Sequence, residues 1–475
     1  MVRHAGVQVA LDAAVPLPLG MGRQFVAPVG SEIELANEGD GDLTVAILRP
    51  GAGLGWSGPE LPLLLTPGSR AMVGVGASGE VLGPVEANLE IDSNDPLTPT
   101  ASIAWQGRLD PYIQVLHKDN AAVSGYARQI MRAEQLVGLG IGIVEGLDIV
   151  YLQGFGFADR AANVKVDPSA TLFRWASLSK GVIGLAAMQA VTRREIQLDA
   201  SISDYFLTYM TPRHYLPGGC GSRSCQRKIP EDKRVITLRQ LLSHTAGATH
   251  YSNGIGDPKP PQAMADDPMT NTGIEWALRY WIDQPLVAIP ETMYSYSTFG
   301  YNLAGVVVEH GAARKLADLV HDWISVPLGM STMQPDYFWV DLPNRAVGYT
   351  GGGDPPIPDG DNDVSWKLPG GGFISTVGDL ARYCAGLMGK VVLDPAVRDG
   401  ELWKVQPPAT SYALGFRVGS SPNGERIIYH TGSQQKTKTA LRAYPDQQRC
   451  FVVMTNSTWV SPIEILDGAD MAYGR

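Results

Sequence analysis

The sequence is short of charge, of cysteine and of long apolar runs, and each shortage excludes something. Charged residues make up 18% of the 475, below the usual level of about a quarter. The 38 Lys and Arg are outnumbered by 48 Asp and Glu, for a formal net charge of −10. Nucleic acid and anionic membrane surfaces call for clustered basic charge, so neither is expected as a partner. The longest apolar runs, "LVGLGIGIV" and "GVIGLAAM", are too short to span a bilayer. The start, "MVRHAGVQVALDAAVPLPLG", lacks the apolar core and cleavage site of a secretory signal. The compartment stays open: periplasmic or extracellular if a signal has been removed, cytoplasmic otherwise. Four cysteines in a chain this long exclude a disulfide scaffold. Cys220 and Cys225 flank "CGSRSC", a wider spacing than thioredoxin-like or zinc pairs use. A local disulfide and two free thiols both remain open there. Cys384 and Cys450 sit among apolar neighbours and read as buried small hydrophobes. There is no Gly-x-Ser-x-Gly elbow, which disfavours an α/β-hydrolase triad. "DGDND" from Asp359 has Val364 where a calcium loop needs glycine and Gly370 where it needs glutamate, and reads as a solvated acidic loop. No nucleotide or metal motif is found, and no cofactor is expected.

What is abundant is glycine and proline, 54 and 34, which points to a turn-rich fold. Residues 1–107 hold short alternating runs between turn residues: "SEIELAN", "LTVAIL", "SRAMVGVGA", "VEANLEI" and "ASIAWQG". Leu43, Val45 and Ile47 fall on one strand face, as do Ala87, Leu89 and Ile91. Evenly spaced strands without helical period predict a β-sandwich. Residues 108–119, with Pro111, read as a linker. From residue 120 to 475 the character changes. "AAVSGYARQIMRAEQL" is amphipathic at helical spacing, with Tyr126, Ile130, Met131 and Leu136 apolar, and "GLGIGIVEGLDIVYLQGFGFAD" predicts a hairpin turning at Glu145 to Asp148. "ITLRQLLSHTAG" predicts a helix from a Thr237 cap to Gly247. "TVGDLARYCAGLM" has Thr376 and Asp379 at capping-box spacing, with Leu380, Cys384, Leu387 and Met388 on one face. Strand patterns return in "YALGFRVG", "RIIYH", "TALRAYP" and "CFVVMTN". The pattern predicts an α/β domain, one sheet built from both ends around a helical insertion at about 182–365.

The chemistry concentrates in three boxes. In "WASLSKGVIGLAAMQAV", Ser177 and Lys180 are three apart at the start of an apolar helix, so both side chains share a face and the ammonium reaches the hydroxyl. The helix N-terminus favours an oxyanion and helps lower the lysine's pKa. "IPETMYSYSTFGYNLAG" carries Tyr294, Tyr296 and Tyr301, and "IIYHTGS" carries His430, Thr431, Gly432 and Ser433. Taken singly, the first box reads as an N-cap serine with a solvated lysine, the second as helix-entry core aromatics and the third as a chance match on a strand.

Together they resemble the serine β-lactamase and penicillin-binding superfamily, in the branch of class C β-lactamases, D-alanyl-D-alanine carboxypeptidases, family VIII esterases and D-amino-acid amidases. The landmarks run in order from "VDPSATLFRWASLSK" through "ITLRQLLSHTAG", "YSYSTFGYNLAG" and "LPGGGFISTVGDLARY" to "IIYHTGS". The resemblance implies an antiparallel-sheet α/β sandwich with an all-helical subdomain. It implies Ser177 as nucleophile, and Tyr296, counted from Pro290, as the base beside Lys180. His430-Thr431-Gly432 would line the pocket, and the N–H groups of Ser177 and Ser433 would form an oxyanion hole. His244 matches a helix end that is structural in the family. Thr298 stands where the family has asparagine; it can serve the lysine but reaches a substrate amide poorly. "SQQKTKT" replaces a glycine-rich turn, with Lys436 and Lys438 either facing a substrate carboxylate or on an exposed strand face. "LEIDSNDPLTPTASIAWQG" resembles the last hairpin of bacterial immunoglobulin-like modules, a possible contact with cell wall or protein. The expectation is a serine hydrolase of small esters, D-amino-acid amides or D-peptides. The alternatives are a penicillin-binding module that binds without efficient turnover, or a true β-lactamase.

Overall fold

The alternation in "GLGIGIVE" sets how the second half of the chain is built. The structure, a computed structural model, describes residues 2–4, 7–9, 15–16, 31–37, 42–50, 54–57, 61–77, 83–93, 100–109, 115–116, 120–212, 224–252 and 274–474. Strands β1 (Gly138–Glu145) and β2 (Asp148–Asp159) form the expected hairpin, with Glu145 opposite Asp148. A short β3 (Val164–Lys165) follows, and four strands arrive from the far end: β4 (Arg417–Ser420), β5 (Arg426–Gln434), β6 (Thr437–Tyr444) and β7 (Arg449–Thr455). The sheet order is β3-β2-β1-β7-β6-β5-β4, antiparallel throughout. The pairing of β1 with β7 joins the two ends of the domain, as the strand pattern predicts.

The helices that frame this sheet and the cleft are α1 (Ala121–Ala133), α2 (Ser179–Thr192), α3 (Leu238–Leu242), α4 (Thr298–Gly311), α5 (Leu368–Gly371), α6 (Val377–Met388) and α7 (Pro462–Tyr473). Leu139, Ile141 and Ile143 pack with Val123 and Ala127 of α1 and Ile465, Leu466 and Ala469 of α7. The alternate residues Gly140 and Gly142 meet α6. A methyl group at Gly140 would lie 2.3 Å from Val377 Cγ2, and one at Gly142 3.1 Å from Ala381 Cβ. Small residues on that face let α6 lie close against the sheet. Cys384 and Cys450, expected as separate buried hydrophobes, are buried but joined in a disulfide between α6 and β7, their Cα atoms 6.3 Å apart. Apolar neighbours signal burial, and only the helix–sheet contact reveals the pair. The alternatives for Cys220 and Cys225, a local disulfide or two free thiols, lie outside what is described: Cys220 is outside the described residues, and Cys225 is described only as part of strand Ser224–Lys228.

The caps follow the sequence with two differences. Thr237 and Gln240 form a full capping box, but α3 ends at Leu242, short of Gly247, because His244 already takes φ 61°. Thr376 caps the Asp379 N–H, while the Asp379 carboxylate turns instead to Thr332 N–H at 2.8 Å. Helix α2 is buried from Ser179 to Ala190, as an apolar run on all sides requires.

Residues Met1–Gln114 with Val326–Gly329 form one compact unit, and Val115–Ser325 with Met330–Arg475 the other. The described strands of the first make two five-stranded sheets. All five runs read as strands are strands: Ser31–Ala36, Leu43–Pro50, Arg70–Ala77, Gly83–Ser93 and Thr100–Leu109. A bulge between Val45 and Ile47 breaks the strict alternation, and Val45 and Leu48 are both buried. The last strand runs past Gly107 into the expected linker, and Val115 bridges Ile149.

Candidate active site

The segment before Ser177 is fixed from three sides. Strand Phe173–Arg174 pairs with Phe373–Ser375, so "FRWASLSK" and "LPGGGFIS" lie side by side, and Trp175 N–H donates to Phe373 O at 2.8 Å. Buried Arg174 donates to Asp336 at 2.6 Å and to Asn362 Oδ1 at 2.5 Å. The acidic loop around Asp359 is therefore not simply solvated: Asn362 clamps Arg174, and Asp359 and Asp361 hold Lys436. From the sheet, the buried hydroxyls of Thr437 and Thr439 donate to Arg174 O and Trp175 O, each at 3.0 Å. Ala176 then takes φ 48°, a conformation costly for a non-glycine residue and typical of sites where the fold over-determines the backbone. A 3₁₀ turn, Ala176–Leu178, leads into α2 with Ser177 half-buried between buried neighbours.

Around Ser177 the expected residues converge. Lys180 Nζ lies 3.1 Å from Ser177 Oγ, 3.2 Å from Thr298 Oγ1 and 2.6 Å from Gly370 O. The Tyr296 hydroxyl donates to Ser177 Oγ at 2.9 Å. Lys180 is fully buried, with its ammonium 4.9 Å from the Tyr296 ring centre and 5.5 Å from that of Tyr301. Burial, and then the nearby Lys367, holds its pKa well below the ordinary lysine value. Burial also raises the Tyr296 pKa, with the Ser177 hydrogen bond pulling the other way. Thr298 keeps the lysine contact predicted for it, and Gly370 is glycine because a methyl there would lie 2.6 Å from Thr298 Cγ2.

The third box approaches along β5. Gly432 faces the Ser177 turn, where a methyl would lie 2.5 Å from Trp175 O. Strand β4 pairs with β5 only from Arg426 to Tyr429, so residues 430–434 have no strand on that edge among the described residues. The two-residue turn Gln435–Lys436 closes the ladder at Gln434–Thr437, and alternation then directs Ser433 N–H to the open edge. His430, expected to line the pocket, is buried with both ring nitrogens taken. Its Nδ1–H donates to Thr431 O at 2.7 Å, and Nε2 accepts from the Tyr412 hydroxyl at 3.0 Å. Burial, then Lys180, pulls its pKa down to about 3, so it stands neutral behind the cleft.

His244 is buried behind Tyr296. Its Nδ1 accepts Ser297 N–H at 3.0 Å, and its ring packs 4.2 Å from Tyr296 and 5.0 Å from Tyr301. Tyr301 is a buried core aromatic whose hydroxyl donates to Leu242 O. Four participants were not among the candidate residues: the Gly370 carbonyl, Tyr412, Lys367, and His250, whose Nδ1 accepts Thr298 N–H at 3.2 Å. The box "LPGGGF", which holds Gly370 and starts directly after Lys367, was the available signal for the first and third. Among the described residues no group of three His, Cys, Asp or Glu is placed to hold a metal ion, and no helix is long and apolar enough to cross a membrane.

Comparison with known proteins matches residues 123–464, well over half of the chain, to the beta-lactamase family. The chain belongs to the beta-lactamase family. Among curated relatives of this family, esterase EstB of Burkholderia gladioli is 28% identical over 337 residues, covering 65% of this chain and 82% of its own. Two solved structures share the beta-lactamase fold. The octameric penicillin-binding protein homologue from Pyrococcus abyssi superposes with TM-score 0.59 at 20% identity, covering 75% of this chain and 77% of that one. The D-stereospecific amidohydrolase from Streptomyces superposes with TM-score 0.55 at 19% identity, covering 74% and 98%. The mixed α/β fold with a central antiparallel sheet is thus that of the family's hydrolases.

Proposed function

We propose that this protein is a serine hydrolase working through an acyl-enzyme on Ser177, with small esters, D-amino-acid amides or D-peptides as substrates. The observation that carries the reading is Ser177 Oγ held between Lys180 Nζ at 3.1 Å and Tyr296 Oη at 2.9 Å. A hydrogen count supports one division of roles once Lys180 is neutral, the form its burial favours. A neutral amine has two N–H donors and one lone pair. Gly370 O and Thr298 Oγ1 take the donors, and the lone pair is left facing the Ser177 hydroxyl. The directions of the two pKa shifts favour neutral Lys180 beside protonated Tyr296. Lys180 is therefore the base in acylation, and Tyr296 the donor that steadies Oγ and passes a proton to the leaving group. This refines the sequence expectation of Tyr296 as the base. The N–H groups of Ser177 and Ser433 hold the oxyanion, each such donor being worth about 3 kcal/mol in acyl transfer. Water then releases the acyl group through the same pair.

Similarity to an esterase and to a D-stereospecific amidohydrolase supports the substrate range. Thr298 supports slow or absent β-lactam turnover, because its hydroxyl is already engaged by Lys180. Residues 1–107 are proposed to be a separate immunoglobulin-like module outside the chemistry. The test is hydrolysis of p-nitrophenyl acetate and butyrate together with labelling by a fluorophosphonate probe. Turnover and label should both be lost in Ser177→Ala. Labelling at another serine, or activity that survives the substitution, overturns the mechanism.

A further inference from the structure

The segment "SHTAG" follows α3 and runs beside the chain that carries Tyr296. Val287, Glu291 and Ser295 donate their N–H groups in turn to Gly247 O, Thr245 O and His244 O, each at 2.8 Å. His244 ends this ladder with φ 61°, a left-handed backbone that histidine adopts more readily than most residues but still at a cost in strain. In that conformation it meets the Tyr296 segment with its backbone, a ring nitrogen and the ring face. Its carbonyl accepts Ser295 N–H, its Nδ1 accepts Ser297 N–H at 3.0 Å, and its ring lies 4.2 Å from the Tyr296 ring. The residues on both sides of Tyr296 are thus tied to His244, while the tyrosine hydroxyl reaches Ser177 Oγ at 2.9 Å. Burial, then Lys180, holds the His244 pKa well below the ordinary histidine value, so the ring is neutral. With Nδ1 as acceptor its proton is on Nε2, and Nε2 is buried without a hydrogen-bond partner. A residue that merely filled this space would be apolar and strand no N–H. The fold instead tolerates a strained backbone and a stranded N–H at His244, where an acceptor is aimed at the residue after Tyr296.

We infer that His244 is a positioning residue for Tyr296, setting the place of the tyrosine hydroxyl against Ser177 through the N–H groups on either side of it. The inference rests on the hydrolase reading above, in which Tyr296 acts on Ser177 Oγ. Turnover of p-nitrophenyl acetate by the full-length protein tests it. His244→Leu removes the ring acceptor and should lower kcat about ten- to a hundredfold with KM little changed, the loss that misplacing a reacting group brings. His244→Asn should recover most of that loss, since asparagine tolerates the left-handed backbone and its Oδ1 can stand in for Nδ1. The deciding measurement repeats His244→Leu in a Tyr296→Phe background. With no hydroxyl left to position, the substitution should there cost less than about twofold. A loss as large in that background as in the native one would mean a general role in packing and overturn the inference. Full activity in His244→Leu, or no recovery in His244→Asn, overturns it as well. If His244→Leu does not fold, His244→Gly, which suits the φ of 61°, takes its place in the cycle. Turnover that survives Ser177→Ala, or full activity in Tyr296→Phe alone, would overturn the hydrolase reading and its roles, and this inference with them.

Discussion

Adding one methyl group at Gly432 tests whether β5 must lie against the Ser177 turn. The new Cβ would sit 2.2 Å from Thr439 Oγ1, 2.5 Å from Trp175 O and 3.0 Å from Ala176 Cβ. Carbon does not approach backbone oxygen closer than 3.0 Å, so Trp175 O must retreat by at least about 0.5 Å. It is poorly free to do so, because the Thr439 hydroxyl holds that oxygen at 3.0 Å and Phe373 O holds the Trp175 N–H at 2.8 Å. The cheaper response is for the end of β5 to lift, carrying Ser433 N–H away from Ser177. Overpacking of this kind costs about 1–3 kcal/mol of stability. A displacement approaching an ångström at reacting groups costs up to about a hundredfold in rate. Gly432→Ala should therefore lose about ten- to a hundredfold in kcat/KM for p-nitrophenyl acetate, mainly in kcat. Urea denaturation should show the modest stability loss. Gly419→Ala on β4 is the control, since its nearest neighbours would be 3.6–3.9 Å away. Full activity in Gly432→Ala, or equal losses in both variants, refutes the argument that the close approach of β5 builds the oxyanion site.

Three further outcomes follow from the same geometry. Tyr296→Phe and Lys180→Ala should each lower kcat/KM severely, and the double variant should lose far less than the sum, because both act on one Ser177 proton; additive losses would show that they do not share it. The acid limb of the kcat/KM profile should report Lys180, with activity rising as pH rises and the amine loses its proton. Because the Lys367 cation depresses that pKa, Lys367→Met should let Lys180 hold its proton to higher pH and move the limb upward; a limb that stays or moves down contradicts the assignment. Thr298→Asn should raise cephalosporin turnover relative to ester turnover, since it restores an amide where only a hydroxyl now reaches Lys180; an unchanged ratio removes Thr298 from the account of specificity.

Much of this protein is decided by sequence because its signals are local. The Ser177–Lys180 spacing places two side chains one turn apart whatever surrounds them. The alternation of Gly140 and Gly142 with Ile141 and Ile143 separates a helix-bearing face from a core face before any partner is known. The Thr237 and Thr376 caps, the turn at Glu145 to Asp148 and the order of the boxes are likewise readable within a few residues. Tertiary structure decided what depends on elements meeting from far apart. The Lys180 pKa falls below the ordinary lysine value because α2 is enclosed on every side and because Lys367 arrives from a segment remote in sequence. His430 is a neutral ring because burial and then Lys180 lower its pKa, and Tyr412 takes its second nitrogen. Cys384 and Cys450 become a bridge only when α6 lies down on β7. Even the register of the strand from Leu43 shifts between Val45 and Ile47, since pairing with the neighbouring strand overrides strict alternation. Periodicity and spacing specify which side chains share a face, whereas charge state and partnership are set by the desolvation and contacts that only the folded chain supplies.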